Sequence, residues 1–274
     1  MKEALKRQSF LGEGSDLIHA DCIAGLAGLG GGGSHIAQQL AHLGVGNFLL
    51  IDPDRVEETN LNRLVGATHR DVLKATRKTA VAKRVIKGIN PQAAVKTANK
   101  KWQECHELIR GCDVIFGCLD TYRDRSELEA LARRYLIPYV DIGMDVHRVG
   151  EEFAVTGQII LSMPGELCMR CLGFLRDELL EREAAKYGDA GGRPQIVWAN
   201  GALASAAVGI FTQLLTPWHR KHEPTIYLEY EGNSQTVTRS NRLEYMRDKE
   251  CKHFSTADGL GDPFWAPVRR LRPA

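Results

Sequence analysis

Short apolar runs alternate with amphipathic stretches through the first half of the chain. Residues 22–29 read as a buried strand running into glycines. Ile36, Leu40 and Leu43 share one face of a helix predicted over 34–43, which Gly44 and Gly46 end. Phe48 to Ile51 reads as a second buried strand, closing at Asp52. A basic amphipathic helix is predicted over 74–88, with Ala80, Val81 and Val85 on its apolar side. A strand at 93–98, a helix at 102–110, a strand at 113–118, a helix at 124–135 and a strand at 137–142 follow. This alternation predicts an α/β fold, a mostly parallel sheet with helices on both faces.

The second half changes character. Residues 153–162 read as a longer strand, and 198–215 as a long, alanine-rich apolar helix. Gly188, Gly191, Gly192 and Pro194 predict a mobile loop between them. Segments 225–230 and 234–239 predict a hairpin around Glu231-Gly232-Asn233, a small β-containing C-terminal extension. Residues 1–250 read as one domain with its nucleotide-binding core at 20–145, and 251–274 as an irregular tail.

The chemistry begins at Gly28-Leu29-Gly30-Gly31-Gly32-Gly33-Ser34, between a strand and a helix. Glycines let the backbone turn sharply and approach a ligand closely. The free N–H groups and positive dipole end of a helix N-terminus suit phosphate. Asp52 ends the next strand, where a carboxylate can accept from ribose hydroxyls in a Rossmann-like domain. These features indicate a nucleotide and leave open whether it is ATP or a nicotinamide or flavin dinucleotide.

The stretch Asp52-Pro53-Asp54-Arg55-Val56-Glu57-Glu58-Thr59-Asn60-Leu61-Asn62-Arg63 narrows the choice, since a dehydrogenase needs nothing like it. With the glycine loop, Lys78, Ile89-Asn90-Pro91 and Cys118-Leu119-Asp120, the chain resembles the ubiquitin-activating-enzyme-like (ThiF/MoeB/HesA) adenylyltransferases. The match of order and spacing covers residues 22–143 and continues more weakly to about 215. The resemblance implies ATP bound at Gly28, Gly30, Gly31 and Gly33, with Asp52 on the ribose. It implies Asn60, Arg63 and Lys78 on the phosphates and Asp120 on Mg²⁺. Arg7-Gln8 resembles the family's N-terminal Arg-Gln pair, whose arginine reaches into the partner subunit's site, so a homodimer is implied. Arg7, Arg63, Lys78 and Asp120 are then the expected catalytic residues. The segment from Arg63 to Lys78 is slightly longer than the family's, and a solvated helix face stays open for Lys78. Arg125 reads as a helix cap or salt-bridge partner.

The implied reaction is attack of a carboxylate on the α-phosphate of ATP, giving an acyl-adenylate and pyrophosphate. The implied carboxylate is the C-terminus of a small ubiquitin-like or sulfur-carrier protein. Two other classes stay open: an NAD(P)-dependent oxidoreductase and a non-catalytic nucleotide-binding scaffold. Related enzymes carry a thioester-forming cysteine before the long apolar helix; here 172–250 contains no cysteine.

Cys168-Met169-Arg170-Cys171 follows a Pro-Gly turn, and two thiolates at this spacing can clamp one zinc. Cys251 and His253 are the candidate remaining ligands, with His219 and His222 as substitutes for His253. A redox pair and a metal-free remnant are the alternatives. Seven cysteines in unlike contexts do not form a secreted disulfide framework, so a cytoplasmic setting is expected. The formal net charge of +2 gives no argument for nucleic acid or a membrane surface, and no unbroken run of ~18 apolar residues is present.

Overall fold

A 3-10 helix at Glu3–Leu11 and α1 (Ser15–Asp21) lead into β1 (Ile23–Ala27). There follow α2 (Gly31–His42), β2 (Asn47–Ile51), α3 (His69–Leu73), α4 (Lys78–Ile89), β3 (Ala94–Ala98), α5 (His106–Ile109), β4 (Val114–Gly117) and α6 (Tyr122–Arg134). The second half contributes β5 (Tyr139–Val149), β6 (Glu152–Ser162), α7 (Asp177–Ala185), α8 (Val197–Leu215), β7 (Ile226–Glu231), β8 (Thr236–Arg239) and α9 (Arg242–Tyr245). The structure, a computed structural model, describes residues 3–185, 194–219 and 223–254.

The strands form one sheet in the order β3-β2-β1-β4-β5-β6-β7-β8. The first five are parallel; β6, β7 and β8 join antiparallel. The chain winds from β1 to one side through β2 and β3, then returns to the other side at β4. That reversal opens a crevice beyond the C-terminal ends of β1 and β4, where ligands gather in such sheets. The fold is the Rossmann-like α/β sheet with a β-containing extension that the periodicity predicts.

Alternation along the strands sorts the core into two layers. Leu26, Phe48, Leu50, Phe116, Val140 and Ile142 face α2 and α8. Leu49, Ile51, Ile115 and Tyr139 face Trp102, Ile109, Leu128 and Met169. Helix α8 is apolar and long enough to cross a membrane, yet half of it is buried and it packs on α2, β5 and β6. It is a core helix that packs beside α2 against the sheet.

Several elements differ from the expectation for local reasons. The helix predicted over 74–88 begins only at Lys78, because Ala75 takes a left-handed φ of 45° and Arg77 forms an antiparallel bridge with Arg55. The residues before it make a separate α3, capped where Thr68 and Asp71 exchange side-chain and backbone hydrogen bonds. Strand β5 runs seven residues past the predicted end at Ile142, to Val149. Its outer half mixes Met144, Val146 and Val149 with polar residues and is mostly exposed, so no apolar run marks it; pairing with β6 from Val149↔Glu152 inward sustains it. The segment at 102–110 is a 3-10 turn followed by the short α5. Helix α7 was not anticipated, and the C-terminal hairpin falls within two residues of its predicted bounds.

The predicted mobile loop lies outside the described residues up to 193, as do His222 and tail residues 255–274. Cys251 and His253, at the start of that tail, pack back onto the Cys168–Cys171 segment.

Candidate active site and a cysteine–histidine cluster

The glycine loop is shaped by close backbone contacts. Gly28 has φ +90°, and a Cβ there would collide with the carbonyl oxygen of Cys118 on the neighbouring strand. Helix α2 begins at Gly31, earlier than Ser34, so Gly31, Gly32 and Gly33 form its first turn. A Cβ at Gly33 would run into the carbonyl oxygen of Gly28, so this glycine lets the loop fold back on itself. A Cβ at Gly30 meets nothing within 4 Å. Helix propensity alone favours alanine over glycine by about 1 kcal/mol, but overpacking against backbone costs about 1–3 kcal/mol or more. Gly33→Ala is therefore expected to destabilise the fold by about 2 kcal/mol, while Gly30→Ala changes it by less than about 0.5 kcal/mol. Denaturant unfolding of both variants checks this, and equal midpoints would refute the packing argument.

Asp52 is buried at the end of β2 and staples this loop. Its Oδ2 accepts from Leu29 N at 2.7 Å and its Oδ1 from Asp54 N at 2.8 Å. Burial pushes its carboxyl above the ordinary value, opposed by the Lys78 charge and these two N–H groups. Lys78, the first residue of α4, places Nζ 2.7 Å from Asp54 Oδ2, with only 12% of its side chain exposed. It is thus a partly buried cation and not part of a solvated helix face.

A cavity of about 730 Å³ opens at the reversal of strand order. Gly28, Gly30, Gly31, Asp52, Arg63, Lys78 and Asp120 all line it. Asp120 sits beyond the end of β4, exposed at the rim, with the Gln195 amide 3.5 Å away. Arg63 donates to Thr59 O at 2.6 Å and to Asn62 Oδ1 at 2.9 Å.

Three residues expected at this site do not line the cavity: Asn60, Arg7, and Gly33, which lies within the first turn of α2. Asn60 is buried and its Oδ1 caps the backbone N–H of Glu57 at 3.1 Å, while its carbonyl accepts from Arg63 N at 3.0 Å. It shapes the turn that carries Arg63 and does not itself line the cavity. Arg7 is exposed on the N-terminal 3-10 helix and does not line the cavity of its own chain.

The cavity also uses residues that the sequence reading left out. Asn200, near the start of α8, presses its amide against Gly31. Arg125 is 7% exposed and donates from Nη1 to Asp141 Oδ2 at 2.5 Å and to Ile142 O at 2.9 Å. Tyr139 completes this buried group by donating to Asp141 Oδ1 at 2.8 Å. The signal for Arg125 was its four-residue step to Glu129 and Arg133, which puts three charges on one face of α6.

That face continues to a second centre. Arg133, wholly buried, donates to Ser162 Oγ at 2.9 Å, Glu166 O at 3.0 Å and Leu167 O at 2.9 Å. Glu129 accepts from Ser162 Oγ at 2.6 Å and Met169 N at 2.8 Å. From the other side, Arg242 donates to the carbonyls of Leu172 and Gly173. Between these supports, the ligand atoms of Cys168, Cys171, Cys251 and His253 lie within 4.8 Å of one another. The Cys171 and Cys251 sulfurs are 3.7 Å apart, and His253 Nδ1 is 3.5 Å from Cys168 Sγ and 3.3 Å from Cys171 Sγ. A tetrahedral zinc with ordinary bond lengths requires sulfur–sulfur edges of about 3.8 Å and sulfur–nitrogen edges of about 3.5 Å. The donor set and its spacing fit that ion. Burial opposes the Cys251 thiolate, but N–H groups of His253 and Phe254 and the neighbouring thiols bring its value below that of an ordinary thiol. His219 instead lies tilted against Trp218, at a centroid distance of 5.3 Å.

Comparison with known proteins agrees with this geometry. The ThiF family model matches residues 12–253. The chain belongs to the ThiF family. It is 32% identical over 149 residues to the SAMP-activating enzyme E1 of Haloferax volcanii, covering 54% of this chain and 52% of that protein. It is 32% identical over 155 residues to the molybdopterin-synthase adenylyltransferase of Escherichia coli K12, covering 56% and 59% respectively. It is 28% identical over 184 residues to ubiquitin-like modifier-activating enzyme 5 of Dictyostelium discoideum, covering 62% and 45%. The match thus spans about half the length of these curated relatives. Among solved structures, E. coli MccB with selenomethionine MccA superposes with a TM-score of 0.70 at 18% identity, covering 96% of this chain and 73% of that one. That likeness is one of fold.

Proposed function

We propose that this ThiF-family chain is an adenylyltransferase that activates a carboxylate with ATP, forming an acyl-adenylate and releasing pyrophosphate. The observation that carries this reading is the convergence of a glycine loop, Asp52, Arg63, Lys78 and Asp120 on one cavity. Gly28, Gly30 and Gly31 offer the phosphates backbone at close range, and Asp52 faces the ribose. Arg63 and Lys78 supply the positive charge that lets an anionic carboxylate approach an anionic triphosphate. Asp120 is the carboxylate that would hold Mg²⁺, a hard cation suited to oxygen ligands. Asn60 acts one step removed, by fixing the turn under Arg63.

The activated group in this reading is the C-terminus of a small ubiquitin-like or sulfur-carrier protein; one relative's name, ubiquitin-like modifier-activating enzyme 5, supports the first of these. The only thiol on the cavity wall, among the described residues, is Cys118. Burial and the Asp141 carboxylate push it well above its ordinary value, so it stays protonated and poorly nucleophilic. The product therefore leaves as the adenylate. Arg7, remote from its own cavity, serves the site of a second copy in a homodimer. Cys168, Cys171, Cys251 and His253 hold a structural zinc. All seven cysteines are free, which fits a reducing cytoplasm.

Thermal unfolding with ATP·Mg²⁺, with NAD, with NADP and without ligand tests the nucleotide. A ligand at about 100 times its Kd stabilises by about 2.7 kcal/mol, or roughly 5–10 °C for a chain of this size. A shift with ATP·Mg²⁺ and none with the dinucleotides is expected. The reverse would make the chain an oxidoreductase.

A further inference from the structure

The Arg125 guanidinium is more than the partner of Asp141. Its hydrogen bonds to Asp141 and to the Ile142 carbonyl both leave from Nη1. With the Gln158 amide assigned so that its nitrogen donates to Gly143 O at 3.1 Å, its oxygen accepts from Arg125 Nη1 at 3.2 Å. Among the described residues Nη2 has no hydrogen-bond partner, and it is not sealed off from solvent. Arg125, Gly143 and Gln158 all line the cavity. A Cβ at Gly143 would strike Arg125 Nη2 and the Gln158 amide, so only glycine leaves this side of the guanidinium open.

Charge gives the opening its ligand. Asp141 offsets one positive charge, but the rim adds the carboxylates of Asp120 and Asp145. The Asp120 and Asp141 charges both act on Arg125 and hold its guanidinium above its ordinary value, although burial pulls the other way. A second carboxylate entering here needs a cation already in place. A nine-tenths-buried arginine with free donors provides it, in a site where charge-assisted hydrogen bonds are strong.

The geometry points to Arg125 Nη2 as the group that binds the substrate carboxylate, over the gap left by Gly143. This assignment rests on the adenylation reading. One carboxylate oxygen accepts from Nη2 and stays behind as the acyl carbonyl. The other forms the bond to the α-phosphorus; the bond from that phosphorus to the bridging oxygen breaks, and pyrophosphate leaves with the electron pair. Holding one oxygen fixes the direction of the other, which is how orientation lowers a two-anion barrier. The buried Asp141 keeps the guanidinium from turning away.

Two probes separate this role from nucleotide binding: AMP, and 5′-O-(N-glycyl)sulfamoyladenosine, a stable mimic of a glycyl-adenylate. Calorimetry on the wild type is expected to show the mimic binding more tightly than AMP. Arg125→Met/Asp141→Asn removes the charge pair together, so no lone carboxylate is left buried. Gly143→Ala keeps both charges and displaces the guanidinium, and it carries the test if the double variant does not fold. Either variant is expected to bind AMP within about 2-fold of the wild type and to lose about 10- to 100-fold of the affinity for the mimic. An advantage of the mimic over AMP that survives in the folded variants overturns the assignment, as does a wild type with no such advantage. A wild type that binds neither AMP nor ATP sinks the adenylation reading itself.

Discussion

Asp120→Ala is expected to lower ATP–pyrophosphate exchange by about 10³-fold, the loss of several kcal/mol of transition-state stabilisation that a bound metal supplies. The fold should survive, because Asp120 is exposed at the cavity rim. Exchange is measured with a glycine-ended carrier peptide that the wild type accepts, and the unfolding midpoint is recorded beside it. Unchanged exchange would remove Asp120 from the mechanism. The same variant reports on the dimer. Arg7→Ala should also be inactive if Arg7 works in the partner's site. Equal mixing of the two variants then gives heterodimers in which one site has both residues intact, about one quarter of all sites. Recovery toward that level is expected after subunit exchange. No recovery, with exchange verified, would return Arg7 to the list of solvated surface charges.

The central parallel strands β1, β2 and β4 were legible because they are buried on both faces and read as short apolar runs. Gly28, Gly33 and Asp52 mark the loop because each answers a backbone requirement at one position. Asn60 shows the limit of motif reading. Its place in the motif is real, but its side chain answers a local demand, the capping of a turn, and the motif cannot say which atoms face the cavity. Arg125 shows the opposite failure. Reading it as a salt-bridge partner was sound, yet the free side of its guanidinium depends on Gly143 and Gln158, which lie on two later strands. Such an opening is made by strand pairing distant in sequence. The outer half of β5 was invisible for a related reason: Met144, Val146 and Val149 are interspersed with Asp145, His147 and Arg148, no apolar run results, and β6 supplies the pairing.

The cysteines carry the same lesson with a larger energy attached. Cys168 and Cys171 were plain as a half-site, but the completing pair lies 80 residues on, in a segment that reads as an irregular tail. Arg133 and Glu129 explain why the two halves meet. They satisfy the backbone of the first cysteine segment from inside the core, and the Arg133 guanidinium lies 5.0 Å from the ring of Phe254, next to His253. A loop so prepared binds metal without reorganising, and metal bound only by the folded state adds its binding energy to stability. Natively purified protein is therefore expected to contain about one zinc per chain. Cys168→Ser should lose it and fall in stability by at least about 3 kcal/mol, roughly 6–12 °C in Tm. His219→Ala should retain it, since that ring packs on Trp218 and stands apart from the cluster. Elemental analysis and thermal unfolding decide the matter. Zinc-free native protein, or a Cys168→Ser variant as stable as the wild type in the presence of zinc, would leave the four side chains as a packed cluster with no metal to hold.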